Sequence, residues 1–160
     1  MKQPANLSAA VQQSATDKLL MRVAIDEIQA EFAHCLDHAR YEALAQLFTP
    51  DARYTSGARA LRGREAIRAF FATRAALGPR ASRHLYSGLR LVDTQPDRIT
   101  ATSVWLSFAA NAALPLDEVP IFMVADFHDT FERGVDGRWR IAARTIIAAF
   151  RNPAAAPRVA

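Results

Sequence analysis

The sequence predicts an α+β domain in which three N-terminal helices pack on a strongly curved, mainly antiparallel sheet that encloses a pocket. Three observations lead there. Helical periodicity is confined to the first half of the chain, and period-two alternation with hairpin signals fills the second. The length of 160 residues, 51% of them hydrophobic, is enough for one domain holding both a core and a cavity.

Met1 to Ala15 is polar and alanine-rich with no clear partner face, and reads as a flexible arm ahead of a domain over residues 16–151. From Asp17 onward Leu20, Ala24, Ile28, Phe32 and Cys35 recur at three- and four-residue spacing, which gives a helix one apolar stripe. Thr16 is its expected N-cap, Asp17 suits the positive end of the helix dipole, and the helix should end between Leu36 and His38. A second, short helix carries Tyr41, Leu44, Ala45 and Phe48 inward until Pro50 stops it. Ala52 to Thr55 reads as a short strand and Ser56-Gly57 as a turn. The third helix, Arg64 to Ala76, buries Ile67, Phe70, Phe71 and Ala75 and ends at Gly78-Pro79.

Everything beyond Pro79 is strand-like. Ser82 to Val92 and Ile99 to Ala110 flank a turn containing Asp93, Pro96 and Asp97. The second of them sets Trp105 on one face and Val104, Leu106 and Phe108 on the other. After a loop over Asn111 to Glu118, Pro120 to Arg133 and Arg138 to Phe150 form a hairpin around Asp136-Gly137. Residues 152–160 are proline- and alanine-rich and read as a flexible tail. Helices laid over the concave face of such a sheet leave a cavity at one end, where small ligands belong.

Composition narrows the function classes. No apolar run reaches signal-peptide or membrane-spanning length, so a cytoplasmic protein without a membrane partner is expected. The single cysteine, Cys35, cannot form an internal disulfide and reads as packing filler in a reducing compartment. The net charge of +4 is arginine-borne, since lysine occurs only at Lys2 and Lys18. Arg59, Arg62, Arg64, Arg68, Arg74, Arg80 and Arg83 crowd one stretch, yet no groove helix or stacking aromatics accompany them, so no nucleic-acid partner is expected. A solvated arginine-rich face is the plain reading, and an anionic small molecule, such as an acyl thioester of a nucleotide-bearing carrier, could use the same charge. No phosphate loop, nucleotide fingerprint or serine elbow occurs, and no cofactor is expected. His34 and His38 are four apart, but no glutamate accompanies them and His128 is distant, so no metal site is expected.

Taken in order, four segments resemble one family: FAHCLDHARYEALAQLFTPDARY from Phe32 to Tyr54, GREAI from Gly63 to Ile67, Arg83-His84, and DFHDTFERGVDGRWRIAAR from Asp126 to Arg144. They resemble the SnoaL-like branch of the nuclear-transport-factor-like, cystatin-fold superfamily. The resemblance implies a cone-shaped fold shared with scytalone dehydratase, bile-acid dehydratase, steroid isomerases, polyketide cyclases and small subunits of ring-hydroxylating dioxygenases. It further implies a pocket aspartate just after the first helix and a histidine on the first long strand, which fall on Asp37 and His84. An arginine near the end of the last strand assists in some members, and Arg144 matches it. The dehydratases' tyrosine five residues before the aspartate is Phe32 here. Their second polar group on the following strand has no counterpart, since Ser103, Trp105 and Ser107 occupy that face.

A carboxylate beside a histidine in a dry pocket fixes the ring tautomer and keeps the imidazole basic, so the ring can remove a proton next to a carbonyl. Asp37 could equally cap a helix over residues 38–48. Asp129 and Arg144 read as a cross-strand ion pair, and an inward Arg144 could instead hold an enolate oxygen. Asp126 and His128 share one strand face and Phe127, Asp129 and Phe131 the other; the sequence leaves open which meets the cavity. Phe32, Tyr54, Phe71, Tyr86, Trp105, Ser107 and Phe127 are the candidate substrate contacts, while Trp139 reads as core.

The leading expectation is a cofactor-independent lyase or isomerase, of dehydratase, cyclase or double-bond isomerase type, acting on a hydrophobic cyclic, polyketide- or steroid-like carbonyl compound. The alternative is a non-catalytic ligand-binding or assembly domain of the same fold, like a dioxygenase small subunit. An exposed sheet face bearing Leu106 and Ile146 suggests a homodimer or higher homo-oligomer.

Overall fold

The computed structural model describes residues 5–158, with side chains described from Ser14 onward except that of Ala75, so the predicted burial of Ala75 and the first four residues of the predicted arm lie outside the described residues. The elements run α1 (Ala5–Asp37), α2 (Tyr41–Gln46), β1 (Phe48–Ser56), β2 (Arg59–Arg62), α3 (Arg64–Ala76), β3 (Ala81–Thr94), β4 (Arg98–Ala110), β5 (Ile121–Arg133) and β6 (Trp139–Arg151), with a closing 3₁₀ turn at Pro153–Ala155. Three helices on a curved, six-stranded, mostly antiparallel sheet make this an α+β cystatin-like fold, as the sequence predicts.

The first helix begins well before Asp17. The alanine-rich segment assigned to an arm is a strong helix former and simply continues α1, which leaves Thr16 inside the helix rather than capping it. Among the described side chains of α1, residues 14–20 are all exposed, Leu20 at 62%, and the buried spine is Ile25, Gln29, Phe32 and Cys35. Periodicity upstream of Ile25 therefore does not translate into burial.

Helix α1 stops in a Schellman-type cap. Arg40 N–H donates to Cys35 O at 2.8 Å and Ala39 N–H to Leu36 O at 3.4 Å, while Ala39 adopts φ 54°. The chain then re-enters as α2, whose N-cap is Arg40 with no side-chain capping bond. Phe48, expected as the last inward residue of α2, instead starts β1, where it is fully buried, and Ile141 N–H donates to Leu47 O at 2.8 Å. The four residues of β2 carry no strand alternation and were not expected; they pair antiparallel with β1. Arg64, at the start of α3, ties that helix to β1 by donating to Phe48 O at 2.9 and 2.6 Å.

The sheet order is β2-β1-β6-β5-β4-β3, with β1 and β6 parallel and every other neighbour antiparallel. Register lays the inward side chains in rows. Ile99, Phe131, Ile141 and Phe48 form an apolar row at one end; Ala101, Asp129, Arg144 and Tyr54 come next, then Ser103, Phe127, Ile146 and Ser56. Towards the other end lies a fourth row, His84, Ser107, Met123 and Arg151. Phe127, Asp129 and Phe131 are thus the inward set of β5, and Asp126 and His128 are exposed. Ile146, expected on the outer face, is inward and 7% exposed. The outer face carries instead the apolar row Leu85, Leu106, Val124 and Phe150.

In β3 the inward residues are Ser82, His84 and Tyr86 before Gly88 and Leu89 and Leu91 after it. Gly88 has φ 64° at a register shift between Ser87 and Arg90, so a bulge switches the strand's phase there. The segment after β6 is docked rather than running free as the sequence suggested. Asn152 caps the 3₁₀ turn, Ala155 is buried, Arg80 donates to Ala155 O at 3.1 Å and Asn111 to Ala156 O at 2.8 Å. Among the described residues no helix is long and apolar enough to cross a membrane.

Candidate active site

The Schellman cap leaves Asp37 as the last residue of α1, aimed at the first turns of β3. A carboxylate at this end of a helix faces the negative pole of the dipole, so helix stability does not account for an acid here. Its bonds do. Asp37 Oδ1 accepts from Ser82 Oγ at 3.1 Å and lies 2.6 Å from His84 Nδ1, and Oδ2 accepts the His84 backbone N–H at 2.9 Å. The expected helix-capping role of Asp37 is therefore not the one it plays, because all its bonds go across to β3.

Both side chains are sheltered, His84 at 16% exposure and Asp37 at 8%. Burial by itself would raise the Asp37 acid. The hydrogen bonds and charge of His84, its backbone N–H and the Ser82 hydroxyl outweigh that and hold the carboxyl below its ordinary value. With Nδ1 committed to Asp37, the ring's Nε2 has no protein partner among the described residues, and His84 lines the cavity.

That cavity has a volume of about 1020 Å³ and lies between α1, α3 and the concave sheet face. Five of the predicted contacts line it: Phe32, Tyr54, Phe71, Ser107 and Phe127. Ser107 is the register partner of His84 on β4 and so brings a hydroxyl beside the imidazole. Tyr54 is buried, which raises its phenol and keeps it protonated as a donor. Two predicted contacts are elsewhere. Trp105 is fully buried, stacked between Tyr86 at 5.0 Å and Phe127 at 4.6 Å, with its indole N–H donated to Ser103 Oγ at 2.9 Å. Tyr86 turns to α1 and donates to Asp26 O at 3.1 Å.

Arg144 does not reach the cavity. It is fully buried, donating from Nε and Nη2 to the two Asp129 oxygens at 2.8 Å each, with Nη2 also held by Gln29 Oε1. Gln29 Nε2 closes the network by donating to Asp129 Oδ2 at 2.9 Å. The rings of Phe32, Phe127 and Trp105 lie 4.1, 5.0 and 5.6 Å from the guanidinium carbon. On β4 the row of Arg144 and the row of His84 are separated by the step from Ala101 to Ser107, roughly 20 Å of strand at about 3.3 Å per residue. The ion-pair reading describes Arg144, and its role as electrostatic support at the reacting carbonyl is not where the side chain sits.

The His34 and His38 rings lie 4.4 Å apart at their centroids, tilted by 42°, and His34 Nε2 faces Arg40 Nη1 at 3.3 Å. Among the described residues no group of three or more histidines, cysteines or acids is arranged to hold a metal ion. Cys35 is buried and bonded to Glu31 at 3.3 Å; burial first, then that carboxylate, push its thiol up to about 12, which makes it a poor nucleophile. The sequence reading missed the pocket's arginines, Arg59, Arg74, Arg80, Arg151 and Arg158. Three of them stand in the sequence's arginine-rich stretch, but only the fold shows that they line one cavity.

With this arrangement in place, comparison is decisive for the family. The SnoaL-like domain profile matches residues 17–145. The chain belongs to the SnoaL-like domain family. Solved structures of similar fold include a candidate scytalone dehydratase of Novosphingobium aromaticivorans, 23% identical over 90% of this chain and 96% of that one, with a TM-score of 0.73. A Catenulispora acidiphila protein in complex with S-DNPA is 25% identical over 81% of this chain and 94% of its own, with a TM-score of 0.70. The beta subunit of a candidate aromatic-ring-hydroxylating dioxygenase, also of Novosphingobium aromaticivorans, is 20% identical over 88% and 99%, with a TM-score of 0.70. No curated protein sequence matches this chain. One fold hosts many functions, so what this cavity does must be argued from its residues.

Proposed function

We propose that this SnoaL-like protein is a cofactor-independent lyase or isomerase that moves a proton beside a carbonyl of a ring compound, with Asp37 and His84 as the working pair. One observation carries the reading: the 2.6 Å contact between Asp37 Oδ1 and His84 Nδ1 in the wall of a large, mostly aromatic and aliphatic cavity. Nε2 takes the proton from the carbon next to the carbonyl, and Asp37 stabilises the imidazolium that forms. The enolate oxygen finds a donor in the Ser107 hydroxyl, the register neighbour of His84. The imidazolium then returns the proton, to a departing hydroxyl in an elimination or to another carbon in a double-bond shift. The bound S-DNPA of the Catenulispora acidiphila protein supports a small organic molecule as the cavity's occupant.

The test is proton exchange. In D₂O the wild type should catalyse deuterium incorporation at the carbon next to the carbonyl of a ring ketone such as 1-tetralone, followed by NMR, and His84→Gln should not. Exchange equal in the two proteins, or absent from both across a panel of ring ketones, overturns the proposal.

A second reading, a non-catalytic ligand-holding or assembly domain, is favoured by Phe32, which lines the cavity without a hydroxyl, and by the dioxygenase beta subunit among the neighbours. Under either reading we expect a homodimer through the outer sheet row Leu85, Leu106, Val124 and Phe150, and a cytoplasmic protein. Light scattering of the wild type and a Leu85→Glu variant tests the first of these: a wild-type monomer at high concentration contradicts it.

A further inference from the structure

Four arginines outside the cavity are paired with carboxylates. Arg68 meets Glu42 and Glu65, Arg98 meets Glu132, Arg140 meets Asp136 and Arg144 meets Asp129. None of the five arginines that line the cavity is so paired among the described residues. Arg59, Arg74, Arg80, Arg151 and Arg158 line it together with His84, and no aspartate or glutamate is among the described lining residues.

Two of the five are occupied structurally. Arg80 donates to Asn111 Oδ1 at 2.9 Å and to Ala155 O, and Arg158 donates to Leu77 O at 3.0 Å and to Asn111 O at 3.4 Å. Arg74 is not. Among the described residues its side chain makes no hydrogen bond or ion pair, and its Nε is shut off from solvent with no partner. Its guanidinium carbon lies 5.6 and 5.5 Å from the Phe70 and Phe71 ring centroids. Arg59, exposed at the cavity's edge, reaches the same ring, 4.3 Å from the Phe70 centroid, and has no carboxylate partner among the described residues. Arg74 as a whole is half-buried, and an unpaired cation whose Nε is buried costs free energy that a stability argument cannot recover. Burial first, then the neighbouring Arg59 charge, draws the Arg74 guanidinium down from its usual value, and burial followed by Arg74 draws Arg80 down to about 10.

We infer that the cavity is built for an anionic aromatic compound whose carboxylate or phosphate is gripped by Arg74 and Arg59. A planar guanidinium fork suits either oxyanion, and the Phe70 and Phe71 rings supply an apolar bed for the attached ring. The placement also orders the ligand. Arg59 stands on β2 and His84 on β3, the two opposite edges of the sheet, and both face the cavity. The anionic group is gripped from α3 and β2, and the ligand extends from there with its reactive carbon towards His84 on β3. This last point rests on the proposed proton-transfer reading; the anion preference does not.

Calorimetric titration with 2-naphthoate, 2-naphthyl phosphate and the neutral 2-naphthamide tests it. The wild type should bind one or both anions roughly tenfold or more tighter than the amide, the margin expected of a charge-assisted pair in a sheltered site. Whichever anion binds tighter identifies the head group. Arg74→Gln should abolish the preference, Arg74→Lys should restore part of it, and Arg98→Gln, on the far surface, should leave it unchanged. A structural role for Arg74 would lower the melting temperature of Arg74→Gln, whereas removing an unpaired, half-buried cation should leave it equal or raised. Equal wild-type binding of amide and anions, or a preference that survives in Arg74→Gln, overturns the inference. His84→Gln should keep the preference, so loss of proton exchange with intact anion binding faults only the catalytic reading.

Discussion

Asp37 holds His84 at two points, the ring Nδ1 and the backbone N–H, so one carboxylate sets both the rotamer of the imidazole and the position of the strand that carries it. Asp37→Asn keeps the shape and loses the charge. An amide can still bond the backbone N–H, but it cannot stabilise an imidazolium. We expect turnover to fall roughly 10²- to 10⁴-fold with a much smaller change in KM, as for a lost acid–base partner. Steady-state kinetics on any substrate that shows His84-dependent exchange checks this, and a change confined to KM would contradict it.

The same pair makes stability depend on pH. The Asp37 acid is lowered in the folded protein relative to the unfolded chain, so the stabilisation it brings is complete above the ordinary carboxylate value of about 3.9 and is lost as pH falls through the lower folded value. Urea unfolding of the wild type and Asp37→Asn between pH 7 and pH 3 should show a difference in stability that is flat above roughly pH 5 and shrinks below it. A difference that grows on acidification would mean that the carboxyl is not held ionised.

How much of this was readable beforehand follows from which signals are local. The boundaries of α3 and the Asp136-Gly137 hairpin were legible because capping and turn chemistry act within a few residues. Asp37 and His84 were legible only through ordered resemblance, since their contact joins the end of one helix to an edge strand far along the chain. The inward face of β5 was not legible, because Asp126/His128 and Phe127/Asp129 alternate with polar groups on both faces and only Arg144 and Gln29 show which acid is neutralised inside. The arginine wall was hidden for the same reason: Arg59, Arg74 and Arg80 come from β2, α3 and the segment before β3, and only closure of the sheet brings them to one cavity.

Arg144 and Asp129 supply a stability test independent of catalysis. Arg144→Ala leaves a fully buried carboxylate with only Gln29 for company, and such losses cost about 3–5 kcal/mol. The paired change Asp129→Leu with Arg144→Met removes both charges and should recover most of that. Denaturant unfolding of the two variants checks the order, and a double variant as unstable as Arg144→Ala would show that packing against Phe32 and Phe127, rather than the uncompensated charge, dominates.

Ala39 offers a test of how Asp37 is positioned. It occupies the left-handed position of the α1 cap at φ 54°, which costs an L-residue about 1–2 kcal/mol, while glycine there escapes that strain and gives back about 0.5–1 kcal/mol in unfolded-state entropy. The balance favours Ala39→Gly by up to about 1 kcal/mol, readable as a rise of roughly 2–4 °C in melting temperature for a domain of this size. Because the cap's two backbone bonds, Arg40 N–H to Cys35 O and Ala39 N–H to Leu36 O, need no side chain at this position, the end of α1 and the aim of Asp37 should be unchanged. Ala39→Val should do the reverse: a β-branched residue resists positive φ, so the cap should loosen, the melting temperature fall, and any His84-dependent activity fall with it. Activity that holds steady while the Ala39→Val cap frays would separate the pair's geometry from the helix end that presents it.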